Sequence, residues 1–383
     1  MLRLRSSPAL GRLNGHKATP KATLCPQGDI SPYTLSPVSP PLSPWTALAA
    51  VALGAALLPA PAFANDSEAE WALGGLAFRH NEAISMDRED LFISAEEVRV
   101  DYTYTNHSDA AQTVLVSFPL PTLPGEGPEW VEYGSYPDWT RLDFKTTVEG
   151  QPVAWKAAER ALLGERDVTA EVAAEGFPLE WYQDYGFIEK ISSLPPEEAE
   201  RLAARGLIVR EEHWGGNDMK PAWRVRHAIT REQVFPAGAT VHVSHRYTPM
   251  IGGSVGGRLD HYGEADYAED SAWYRQKYCT DAAFIAGFRK RQRSADAKAR
   301  AGGYIGYGET WIGYVLSTGA NWKGPIGTFR LTVDKGKAEN LVSFCMDGVK
   351  KVSPTRFEVR KANYEPDRDL NILIVQWYSS EGE

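Results

Sequence analysis

Hydrophobic and polar positions alternate with a period of two along much of this chain. In V-R-V-D-Y-T-Y, Val98, Val100, Tyr102 and Tyr104 share one face while Arg99, Asp101 and Thr103 take the other, the pattern of a half-buried strand. N-H-S-D at 106–109 predicts a turn and 113–118 the returning strand, stopped by Pro119 and Pro121. The same alternation predicts strands within 141–148, 223–229 and 240–247. It returns at 310–316, 326–333, 341–345, 356–359 and 371–377. Strands joined by turns form meanders, and a meander buries its apolar face by packing sheet on sheet. The predicted fold is mainly β, an antiparallel β-sandwich or sandwiches.

Two stretches break this period and predict short helical insertions, at about 165–212 and about 267–300. In the first, D-V-T-A-E-V-A-A-E-G (167–176) and S-L-P-P-E-E-A-E-R-L-A-A-R-G (193–206) have helical character, with Ser193 as N-cap candidate and Gly206 where a C′ glycine belongs. In the second, a helix over 280–293 ends in R-K-R-Q-R, placing cations at its negative C-terminal pole. The run G-G-S-V-G-G at 252–257 predicts a flexible glycine loop. The expected organisation is a sandwich over 65–250 with a helical insert at about 157–212. A glycine-rich and helical segment follows over 251–303. Strands over 304–383 then complete the β core or form a second sandwich.

The N-terminal residues have another grammar. An uncharged apolar run over 45–58 precedes A-F-A, Ala62 to Ala64, a small-x-small cleavage site followed at once by N-D-S-E. This predicts a leader over 1–64, removed after Ala64, and a periplasmic or secreted mature protein. Residues 1–43, rich in Pro and Ser, make the leader longer than the ~15–30 residues of a secretory signal, which places the expected translation start further downstream. An uncleaved anchor is the alternative. Against it, the run is shorter than the ~20 residues a span needs, and Pro59 and Pro61 interrupt its end; no stable span is expected after cleavage.

Composition sharpens the compartment. The leader holds five basic residues (Arg3, Arg5, Arg12, Lys17, Lys21) and one acid (Asp29), so its removal moves the formal charge from −9 to about −13. Such a surface excludes general binding to nucleic acid. Of three cysteines, Cys25 leaves with the leader. Cys279 and Cys345 in an oxidising compartment predict one disulfide, against two buried free thiols as the alternative.

The candidate chemistry is thin. Gly252-Gly253-Ser254-Val255-Gly256 spells G-x-S-x-G, and Asp260 and His261 follow in Ser…Asp…His order. The strand-to-helix turn that exposes such a serine in hydrolases is not predicted here. His242 and His245 lie three apart on a strand and so face opposite sides, which predicts a core role for His245 and no shared metal. D-R-D-L-N at 367–371 lacks the glycine and the terminal acid of a calcium loop. Neither cofactor nor metal is expected. The aromatic clusters Trp130, Tyr133, Tyr136, Trp139 and Trp181, Tyr182, Tyr185 are candidate binding surfaces, since flat aromatics outside alternating strands can stack on sugars or anchor a protein. Covering the end of the sandwich is their alternative role. Asp260, His261 and Asp266 line a neighbouring polar loop, where a cation could bind.

Several phrases carry a family resemblance: N-D-S from Asn65, G-G-L from Gly74, M-x-x-E-D-L-x-I-S from Met86, F-P-L-P from Phe118, N-W-x-G-P-I-G from Asn321, L-V-S-F-C from Leu341 and S-P-T-R-F from Ser353. In this order they resemble the exported bacterial family called domain of unknown function 4424, over Asn65 to about Trp377. The resemblance implies export but no activity. F-P-L-P after a strand, and F-P-A-G leading into V-x-V-S-H-R-Y, are more weakly similar to the non-enzymatic VIT modules, a likeness of fold only. The expected function is a non-catalytic binding or interaction module of the cell envelope with a protein or glycan partner. The alternative is a periplasmic hydrolase-like enzyme using the loop 252–266.

Overall fold

The computed structural model describes residues 67–72, 75–124, 142–213, 216–300 and 305–379, all within one compact unit. The protein is mainly β. Eight strands form the largest sheet, in the order Lys350–Lys351, Arg356–Tyr364, Ile326–Asp334, Ile84–Ile93, Val98–Asn106, Thr240–Tyr247, Lys145–Val148, Gln151–Pro152. A six-stranded sheet follows the order Gly75–Arg79, Ser67–Ala72, Gln112–Pro119, Arg224–Phe235, Lys156–Leu163, Arg166–Asp167. A four-stranded sheet runs Ile251–Val255, Ile305–Tyr314, Leu370–Ser379, Leu341–Phe344. Between these named strands every pairing is antiparallel except that of Ile326–Asp334 with Ile84–Ile93, which runs parallel.

The alternation in the sequence becomes burial. Val98, Val100, Tyr102 and Tyr104 are fully buried, and so are Val243 and His245 on the neighbouring strand. Aromatic contacts join the layers. Phe118 of the six-stranded sheet packs edge-on to His245 at 5.2 Å, and Tyr104 meets Phe235 at 5.7 Å. Tyr102 and Tyr314 bring the eight- and four-stranded sheets together through a hydroxyl pair 3.2 Å apart. One apolar cluster therefore takes residues from all three sheets. A bulge between Met86 and Arg88 changes which face of Ile84–Ile93 points inward. Ile84 and Met86 point into the core before it; Glu89, Leu91 and Ile93 do so after it. Glu89 is buried as a consequence, opposite Tyr102. Burial, Tyr102 and then Glu89 all push the Tyr314 phenol well above its usual range.

The first insertion is helical but holds strands as well. Helices Thr169–Ala174, Tyr185–Ser192 and Pro196–Ala204 are followed by the hairpin Ile208–His213 with Gly216–Pro221. Trp223, fully buried, anchors the insertion: Trp181 Nε1 donates to Trp223 O at 2.8 Å and Trp223 Nε1 to Leu179 O at 2.9 Å. The expected Ser193 N-cap is displaced. Pro195 caps the last helix, and Ser193 instead ends the preceding one, its hydroxyl donating to Glu189 O at 2.9 Å. Gly206 does close that helix, at φ 75°. The expected insert boundary at 157 also moves, because Lys156–Leu163 is a strand of the six-stranded sheet.

Helices Ala268–Tyr278 and Ala282–Arg300 make the second insertion and cover the four-stranded sheet. Phe284, Ile285 and Phe288 join Tyr307, Trp311, Leu373 and Val375 in a separate apolar cluster. The four-stranded sheet is thus covered on both faces. Among the described residues no helix is long and apolar enough to cross a membrane.

Candidate functional site

The glycine run is not a loop. Ile251–Val255 is an edge strand paired with Ile305–Tyr314. Its glycines allow close approach: a Cβ on Gly252 would stand 2.9 Å from the Trp311 ring, and one on Gly257 1.9 Å from Glu309 Oε1. Beneath them Glu309 is almost wholly buried and accepts from Tyr274 Oη at 2.8 Å and Trp311 Nε1 at 2.9 Å. Burial first, then the Glu309 carboxylate, pushes the Tyr274 phenol far up, so Tyr274 remains a donor that holds its helix against the sheet.

Helix Ala268–Tyr278 carries Glu269 and Asp270 in its first turn and Arg275 and Lys277 in its last, matching its dipole. It ends at Cys279, which adopts the left-handed conformation at φ 53°. Asp281 then caps the next helix, its Oδ1 accepting from Phe284 N at 2.6 Å. The disulfide Cys279–Cys345 fixes this corner to the end of strand Leu341–Phe344.

Between the two helices and the turn at Tyr262–Gly263 opens a cleft of about 810 Å³. Ala282, Ile285 and Ala286 contribute apolar surface, and Thr280, Asp281 and the disulfide corner also line it. Arg275, Arg289 and Arg293 supply its charge. Arg289 and Arg293, four apart on the helix, project from one side. Arg289 Nη2 donates to Tyr262 O at 2.9 Å, and the Arg275 guanidinium lies 6.0 Å from the Tyr262 ring centre. Among the described residues none of the three forms an ion pair, whereas nearby Arg258 is paired with Asp270 at 2.6 Å. Arg289 and Arg293 belong to the run read from sequence as a helix terminus. The helix continues to Arg300, so these cations lie within it and face the cleft.

The residues proposed from sequence are scattered. Trp181 and Tyr182, unlike exposed Tyr185, are buried, 3% and 0% exposed, against Trp223 and the insert, so they offer no surface to a ligand. Their apolar rings fill the interior that the short helices could not otherwise close. Trp130, Tyr133, Tyr136 and Trp139 lie outside the described residues. Asp260 and His261 immediately precede the cleft residues Tyr262 and Gly263. His261 stacks on Tyr267 at 4.3 Å, with Nδ1 3.3 Å from Glu264 Oε2. Loss of solvation raises the Asp260 carboxyl, His261 opposes this, and Asp296 reinforces it. Ser254 Oγ donates to Gly256 O at 2.6 Å, on a strand rather than a strand-to-helix turn. His245 is a core residue among Tyr102, Phe118 and Phe144, while exposed His242 pairs with Glu149 at 3.2 Å. Asp369 ties loops together, accepting from Ser317 Oγ at 2.7 Å and Leu316 N at 3.2 Å. Among the described residues no three metal-ligating side chains converge.

Sequence reasoning missed one further titratable group. Buried His227 has Nε2 3.0 Å from Glu180 Oε1 and faces Glu159 across the strand pair. Burial raises the Glu159 carboxyl, His227 opposes this, and Glu180 adds to it. Only the packing of the insert on the sheet assembles this group.

Fold and site together define a mainly β, disulfide-tied protein with a helix-framed basic cleft. The chain belongs to the family described as Domain of unknown function (DUF4424), whose model matches residues 64–373. No curated protein matches it. A solved structure from Legionella pneumophila subsp. pneumophila str. Philadelphia 1, whose given name proposes nutrient binding, is similar at 14% identity and a TM-score of 0.37, over 82% of this chain and 70% of that one. At that similarity it carries no argument for this chain.

Proposed function

We propose that this protein is an exported module of the bacterial cell envelope that binds its ligand without transforming it, seated in the cleft between helices Ala268–Tyr278 and Ala282–Arg300. The observation that carries this reading is the cleft itself, which joins apolar surface to three arginines that form no ion pair among the described residues. Its volume lies in the range of small-ligand sites, roughly 300–1,000 Å³. Its walls are secondary-structure elements held by a disulfide and by the Tyr274–Glu309 bond, a rigid support that suits recognition. Export agrees with the leader over 1–64 and with a disulfide, since such bridges persist outside the reducing cytosol. A glycan or protein component of the envelope is the proposed partner.

Amide exchange by mass spectrometry, with fractionated envelope glycans and peptides added to the purified protein, tests this. Protection concentrated over 262–293, with the ligand recovered unchanged, is the expected result. Protection confined to other segments, or recovery of a chemically altered ligand, would refute the reading.

A further inference from the structure

Resting on the assignment of the cleft as the ligand seat, we infer that its ligand is a small polyanion carrying at least two carboxylate or phosphoryl groups. An acidic chain ordinarily repels anions, and this one carries a net formal charge of −9. Several of its other arginines are paired with acids: Arg160 with Asp167, Arg201 and Arg205 with Glu175, Arg330 with Asp90 and Glu358. Arg275, Arg289 and Arg293 instead share one cleft and no carboxylate partner among the described residues. Asp281, the acid in the cleft wall, is engaged in capping the helix.

Guanidinium groups offer five donors in a planar fork that matches carboxylate and phosphate oxygens. Arg289 spends one on Tyr262 O, which orients its head and leaves the others for a ligand. With Arg293 one turn further along, two forks stand about 6 Å apart at their bases, a spacing that suits two acidic groups better than one. Arg275 reaches the cleft from the other helix, held near the Tyr262 ring. Ile285 and Ala286 give the carbon skeleton of the ligand an apolar surface.

Isothermal titration of the purified protein uses four probes: inorganic phosphate, citrate, digalacturonate and a neutral disaccharide. Citrate or digalacturonate should bind, weakening as salt is raised. The Arg289→Ala/Arg293→Ala variant should lose roughly tenfold or more, in line with loss of charge-assisted hydrogen bonds. Arg291→Ala should bind as wild type, because Arg291 packs on Trp377 instead. Arg289→Lys, which keeps the charge, guards against a folding artefact and should bind between the two. Preference for citrate points to a free acid and preference for digalacturonate to an acidic glycan. Polyanion binding unchanged in the double variant, or phosphate alone bound as tightly as the polyanions, would overturn the inference. A neutral disaccharide bound in the cleft irrespective of the arginines would overturn the ligand class and leave the seat standing. If no probe binds, the ligand class falls, and the seat falls only if envelope glycans or peptides protect amides outside the cleft.

Discussion

Removing the Cys279–Cys345 bridge should cost this protein about 4 kcal/mol. The bridge closes a loop of 66 residues that contains helix Ala282–Arg300 and strands from two sheets. On the chain-entropy relation, a loop of that size loses enough freedom in the unfolded chain to give about 4 kcal/mol at 25 °C. Unfolding entropy of roughly 2.1 cal/mol/K per residue, over a domain of about 300 residues, converts this to a fall in Tm of ~6 °C. The Cys279→Ser/Cys345→Ser variant isolates the crosslink. Serine at 279 faces the same left-handed backbone as cysteine. At 345 its hydroxyl has acceptors within reach in Gln276 O and Lys277 O, each 3.7 Å from the native sulfur, which carries no proton in the bridge. Calorimetry and urea unfolding give the magnitude; mass spectrometry of unreduced wild type establishes that the bridge is present. The corner also lines the cleft, so amide exchange should accelerate first around Cys279 to Phe284. A Tm within about 2 °C of a wild type shown to be bridged would refute the loop-entropy reasoning.

Two further predictions concern stability. Gly257→Ala should be worse than Gly256→Ala, although only Gly256 is left-handed, at φ 81°. A Cβ at 257 would stand 1.9 Å from Glu309 Oε1 and 2.5 Å from its Cδ, displacing a buried carboxylate from Tyr274 and Trp311. That should cost about 2–4 kcal/mol, against about 1 for the strained but open position at 256; the reverse order in thermal melts would contradict the packing argument. The Glu175 carboxyl is held down at about 2, from an ordinary 4.5, by hydrogen bonds from Arg201 and Arg205. Its folded pKa lies below the unfolded one, so its stabilisation is present above pH 4.5 and is lost as pH falls toward 2. With Arg201 half exposed the pair is worth about 1 kcal/mol. Glu175→Gln should flatten that part of the urea-stability profile, and equal slopes for the two proteins would count against it.

Legibility from sequence followed the source of the signal. Strands such as Val98–Asn106 and Thr240–Tyr247 were legible because one face meets the core and the other water, so burial writes itself as period two. Lys156–Leu163 was not, because K-A-A-E-R-A-L-L favours helix by local propensity. It is a strand because pairing with Arg224–Phe235 on one side and Arg166–Asp167 on the other outweighs that preference. Ile251–Val255 was concealed by its glycines, which mark close contact with Trp311 and Glu309 rather than freedom.

The β class, the cysteine pair and the family were legible in the order of residues, since alternation, composition and ordered phrases are local or countable properties. Tertiary structure alone decided that Trp181 and Tyr182 are interior, that a bulge turns Glu89 into the core, and that a parallel pairing joins Ile326–Asp334 to Ile84–Ile93. It also decided the cleft. Arg275, Arg289 and Arg293 look from sequence like solvated helix charges. They come to line one cleft only because a three-residue corner folds one helix beside the other, and that arrangement depends on contacts distant in the chain.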